Sequence, residues 1–102
     1  MTFVQLKYIL TIAETKSLNK AAEQLYVSQP SLTNALKELE KEVGITIFFR
    51  TGRGVTLTND GVEFLTYARE IYREYEQLMQ RYGMVVLIKR NLRYLRSIIP
   101  LR

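Results

Sequence analysis

SLNKAAEQLYVSQPSLTNALKELEKEVG, from Ser17 to Gly44, reads as two short helices joined by a tight turn. Ser17 can cap the first, and Leu18, Ala21, Ala22 and Leu25 form its apolar stripe. Tyr26 and Val27 carry the chain round. Ser28 can cap the second helix, where Pro30 is tolerated because first-turn amides have no intrahelical acceptor. Leu32, Ala35, Leu36, Leu39 and Val43 then repeat at helical spacing, and Gly44 suits the end of the helix.

The opposite side of this second helix carries Pro30, Thr33, Asn34 and Lys37, with Gln29 and Ser31 beside them at its start. Apart from one cation these side chains are short and uncharged, and no carboxylate appears before Glu38. Such a helix end can enter a DNA major groove. Its free amides and dipole attract phosphate, while amide and hydroxyl side chains match base edges. The same pattern also fits a helical hairpin with a solvated polar face, because the helix-turn-helix signal is loose.

The chain has 102 residues, enough for one domain with a modest core. It has neither cysteine nor histidine. Disulfides, thiolate chemistry and the commonest general base and metal ligand are therefore excluded. No carboxylate pair marks a cleft, so no catalytic residue, metal or cofactor is expected, and the chain does not read as an enzyme. Lys7 and Glu14 interrupt the N-terminal apolar residues, so no signal peptide is evident. No apolar run reaches the roughly 18 residues of a membrane span, and a cytoplasmic location is expected. The net charge is +5, but residues 1–83 balance ten basic against ten acidic side chains. Lys89, Arg90, Arg93, Arg96 and Arg102 supply the whole excess. The case for nucleic acid therefore rests on arrangement and not on bulk charge.

Before the hairpin, Thr2 can cap a helix running to about Thr15, with Phe3, Leu6, Ile9, Leu10 and Ala13 as its buried stripe. Ser17, with Lys16, stands where it could meet a phosphate, although plain capping and solvation is the favoured reading of both residues. After Gly44, Ile45, Ile47, Phe48, Val55 and Leu57 are strand-like and flank the loop Arg50-Thr51-Gly52-Arg53-Gly54. This is a two-stranded wing, anchored in the core by Phe48 or Phe49 because an isolated hairpin is marginal. A glycine-flanked arginine at such a tip suits a DNA minor groove, or is simply a solvated turn.

Thr58 then caps a long helix from about Asn59 to Tyr82, closed or broken at Gly83. Leu65, Ala68, Tyr72, Tyr75, Met79 and Tyr82 form a seam, with Phe64, Ile71 and Leu78 alongside. A helix this long, about 36 Å, exceeds what so small a body covers. Leu65, Ala68, Ile71, Tyr72, Tyr75, Leu78, Met79 and Tyr82 are therefore expected to pair with a second copy, as a homodimer or a higher oligomer. In residues 84–102, Ile88, Leu92, Leu95 and Ile99 oppose a basic face. That tail reads as a further helix on the dimer, a membrane-surface segment, an extra nucleic-acid contact, or a stretch without a selected role.

Ala21-Ala22, Leu25, Ser28-Gln29-Pro30-Ser31, Leu36, Leu39-Glu40, Val43-Gly44, Phe48, Arg50, Arg53, Leu57-Thr58 and Gly61 together resemble the N-terminal domain of LysR-type transcriptional regulators. The resemblance covers residues 1 to about 83. It implies a mainly α fold, a winged helix-turn-helix of three helices and a two-stranded wing (1–58), followed by a dimerisation helix (59–83). It implies that Gln29, Pro30, Ser31, Thr33 and Asn34 meet double-stranded DNA, with Lys37 near the backbone and Arg53 in the minor groove. Glu40 and Arg50 look structural, as a pair; Arg50 is kept with the DNA-facing set but not as a base reader. Family members are about three times as long and carry an effector domain, so a truncated regulator without small-molecule response is expected. Phe49 stands where the family usually has a polar residue, and Asn59 replaces a frequent proline. The alternative is a helical dimerisation module that does not bind DNA.

Overall fold

Thr2 opens the first helix, α1 (Phe3–Thr15), through a reciprocal cap: its hydroxyl accepts from the Gln5 amide and the Gln5 side chain accepts from its own. The computed structural model describes the backbone of residues 1–90 and the side chains of residues 1–83. Leu6, Ile9 and Ile12 are the buried face of α1. Ile12 is central where the expected stripe had Leu10 and Ala13, which pack half-buried at its border. Phe3 is exposed at the edge, with its ring stacked 5.8 Å from that of Tyr72. Lys16 ends α1 in the left-handed region, at φ 57°.

α2 (Leu18–Leu25) and α3 (Gln29–Val43) form the expected helical hairpin. Ser17 caps α2 by accepting from the Lys20 amide at 3.2 Å, and Gly44 ends α3 at φ 75°. Tyr26 turns the chain between them at φ 56°. Leu32, Leu36 and Leu39 of α3 close on Ile9, Ile12, Leu18, Ala21 and Ala22. Alanine at positions 21 and 22 leaves room for the helices to approach closely.

β1 (Phe48–Thr51) and β2 (Gly54–Leu57) pair antiparallel in the register Phe48↔Leu57, Phe49↔Thr56, Arg50↔Val55 and Thr51↔Gly54. Phe48 is the anchor, at 7% exposure against 48% for Phe49. Three backbone devices fasten this wing. The Glu40 carboxylate accepts from the Ile47 and Phe48 amides, at 2.6 and 3.3 Å. The Lys16 carbonyl accepts from the Val55 amide at 3.2 Å. Thr58 donates its amide to the Ile47 carbonyl at 3.0 Å and its hydroxyl accepts from the Gly61 amide at 2.9 Å. Gly54 and Gly61 are required by contact, since a Cβ there would lie 2.3 Å from the Lys16 oxygen and 2.1 Å from the Ile47 oxygen.

α4 runs Asn59–Arg90, with Asp60 in its first turn. It passes through Gly83, which corrects the expected end near Tyr82. Gly83 lacks the positive φ of a left-handed cap, so the helical ladder continues past it. The chain divides into two compact units after Tyr72. In the first, Leu65 and Ala68 are both 2% exposed, and Leu65 joins the main core. This corrects the place of these two in a seam for a second copy: Leu65 and Ala68 are spent on their own unit, while Ile71 of the same expected seam is exposed. In the second unit, every side chain from Arg73 to Tyr82 is exposed. The amphipathic faces expected of residues 84–102 lie outside the described side chains.

Candidate nucleic-acid interface

α3 begins with a tightly organised cap. The Ser28 hydroxyl accepts from the Ser31 amide at 3.2 Å and donates to the Ser31 hydroxyl at 2.7 Å. Accepting that bond, Ser31 keeps its own hydroxyl proton for an outside partner. Pro30 supplies the helical φ without an amide to satisfy. The inward leucines hold the rest of the turn outward: Ser28, Pro30, Ser31, Asn34 and Lys37 are exposed and Gln29 is half-buried. Thr33 departs from this face. It is half-buried, and its hydroxyl oxygen is covered and without a partner among the described residues.

At the wing, Arg53 is exposed at the turn, its amide donating 3.3 Å to the Thr51 hydroxyl, which donates on to the Gly54 carbonyl. Arg53 therefore stands on a turn braced from within. Arg50 differs from the expectation. One oxygen of the Glu40 carboxylate, Oε2, accepts from both strand amides, and Arg50 has no carboxylate partner among the described residues. Cross-strand pairing puts Arg50 and Val55 on the wing face that buries Phe48. There it borders a groove of about 180 Å³ that Ser17, Asn19, Gln29 and Thr51 also line.

The site thus gathers Ser17, Gln29 and Arg50 into one groove, beside the exposed start of α3, and leaves Arg53 at the turn and Lys37 further along the helix. Asn19 was not singled out from the sequence. Its neighbours gave it no motif, and only folding brings α2 beside Gln29. Among the described residues no three His, Cys, Asp or Glu side chains cluster as metal ligands, and no helix is long and apolar enough to cross a membrane.

This arrangement has relatives. Residues 3–62 match the model of the bacterial regulatory helix-turn-helix proteins of the lysR family. The chain belongs to the LysR family. Among LysR-family relatives it is 42% identical over 71 residues to the HTH-type transcriptional regulator ClcR of Pseudomonas putida, covering 70% of this chain and 24% of ClcR. It is 39% identical over 79 residues to CitR of Bacillus subtilis, covering 78% of this chain and 27% of CitR. The chain spans about a quarter of the length of such LysR-family relatives. Two solved domains are similar over nearly their whole length. The CbnR DNA-binding domain in complex with DNA matches with a TM-score of 0.75 at 36% identity, over 84% of this chain and 99% of that one. The BenM DNA-binding domain with catB site 1 DNA matches with a TM-score of 0.78 at 30% identity, over 84% and 97%.

Proposed function

We propose that this chain is a sequence-specific DNA-binding domain of a transcriptional regulator, acting in the cytoplasm as a dimer. The observation that carries the reading is the start of α3. It is exposed, free of carboxylates as far as Lys37, and held outward by three buried leucines. The likeness to the CbnR and BenM domains, whose structures contain DNA, supports it. In this reading Gln29, Pro30, Ser31 and Asn34 meet base edges in the major groove, while Lys37 and Ser17 meet phosphates. Thr33 joins the base-reading set once its hydroxyl is uncovered. Arg53 enters the neighbouring minor groove.

The dimer reading rests on the second unit, where Tyr75, Leu78, Met79 and Tyr82 form an exposed apolar face. Such a face is stabilised by pairing with a copy of itself, as an amphipathic helix in a coiled coil is. Two copies would place two α3 helices on half-sites of a palindromic duplex.

Selection of bound duplexes from a randomised pool, followed by anisotropy titration across salt concentrations, tests the proposal. A recurring site and affinity that falls steeply with salt are expected. Binding to no duplex at any salt concentration would leave a helical dimerisation module as the better reading.

A further inference from the structure

The groove between α2, the start of α3 and the wing holds more than the predicted contacts. It is lined by polar groups from three elements and by no acid: Ser17 and Asn19 from α2 and its cap, Gln29 from α3, Arg50 and Thr51 from the wing. Their hydrogen-bonding states separate them. The Thr51 hydroxyl is spent inside the wing turn, on the Arg53 amide and the Gly54 carbonyl. The Ser17 hydroxyl accepts from the Lys20 amide, which leaves its proton to donate. Asn19 and Arg50 are exposed, and neither makes a side-chain hydrogen bond to the described residues. Arg50 is not held as half of an ion pair among the described residues.

We infer that this groove is the seat of a single DNA backbone phosphate, held by the Arg50 guanidinium and the Asn19 side-chain amide with the Ser17 hydroxyl. The inference rests on the DNA-binding reading and deepens it. A guanidinium offers a phosphate two parallel N–H donors, and an amide and a hydroxyl add neutral ones. All three donors come from elements other than α3. The seat therefore positions the domain without reading sequence, and leaves Gln29 at its border to read. It also gives Arg50 and Arg53 separate tasks, although they are three residues apart. Arg50 lies on the inner face of the wing, and Arg53 lies at its turn.

The test uses the full chain, a duplex obtained by selection, and a scrambled duplex of the same length. Arg50→Ala is expected to weaken both alike, by about 10-fold, as loss of a charge-assisted hydrogen bond does. It is also expected to lower the slope of log affinity against log salt by about 1. Asn19→Ala should weaken both duplexes alike without changing the slope, since it removes no charge. Replacing phosphates one at a time by neutral methylphosphonates should identify one position per half-site that costs the parent chain affinity and costs Arg50→Ala clearly less. An unchanged slope and affinity in Arg50→Ala would overturn the seat alone while duplex binding by the parent chain stood. A loss confined to the selected duplex would also overturn it, by making Arg50 a base reader. Absence of duplex binding by the parent chain would overturn both readings.

Discussion

Residues 1–72 and the stretch that follows, as far as Tyr82, differ in what they do with apolar side chains. In the first unit Leu6, Ile9, Ile12, Leu32, Leu39 and Ile47 are almost wholly removed from water. In the second unit Leu78 is 54% exposed although it belongs to the same helix as buried Leu65. Helical periodicity is the same in both, so periodicity alone does not say what an apolar stripe faces. A small body has finite surface to offer, and apolar helix turns left uncovered need a partner or remain wet.

Substitutions in the two units should therefore separate cleanly. The largest effect is expected for Leu39→Ala, which opens a cavity in the first unit and should cost about 2–5 kcal/mol in urea unfolding. Leu78→Glu should leave unfolding of the dilute, monomeric chain within about 0.5 kcal/mol. Its effect should appear in sedimentation, as a shift from dimer to monomer. Equal unfolding losses in the two variants would erase the contrast.

Two glycines sharpen it further. Gly54→Ala forces a side chain at φ 141° against the Lys16 carbonyl and should cost at least about 1–3 kcal/mol. Gly83→Ala meets nothing within 4 Å and should stabilise α4 by up to about 1 kcal/mol, read as a gain in helical circular dichroism on heating. A loss at Gly83 would mean that this glycine serves a contact or a turn. Ser28→Ala, which removes the cap of α3, should lower stability by about 1 kcal/mol in the same urea titration.

Much of the fold could be read from local chemistry. Ser17, Ser28 and Thr58 are caps, and Gly44 is a left-handed stop, because each solves a hydrogen-bonding problem set by its neighbours in sequence. The unread parts depend on distant groups. Phe48 and Phe49 are equivalent in sequence, and the strand register chooses between them. The resemblance paired Glu40 with Arg50, but Glu40 accepts from the strand amides of Ile47 and Phe48, which are distant from it in sequence. Leu65 and Ala68 continue the seam of Tyr75 and Met79 in sequence, and only the placement of α4 against the core divides them. Around the candidate site, the exposure of Pro30, Ser31, Asn34 and Lys37 on α3 was legible from the pattern, and the cover over Thr33 was not. Nor was Asn19, because α2 meets Gln29 only through the turn at Tyr26.

The most direct test is fluorescence anisotropy of the parent chain and of Gln29→Ala on the selected duplex and on its scrambled counterpart. If the start of α3 reads bases, Gln29→Ala loses about 1–3 kcal/mol on the selected duplex and little on the scrambled one. Equal losses on both, or none on either, would contradict the account.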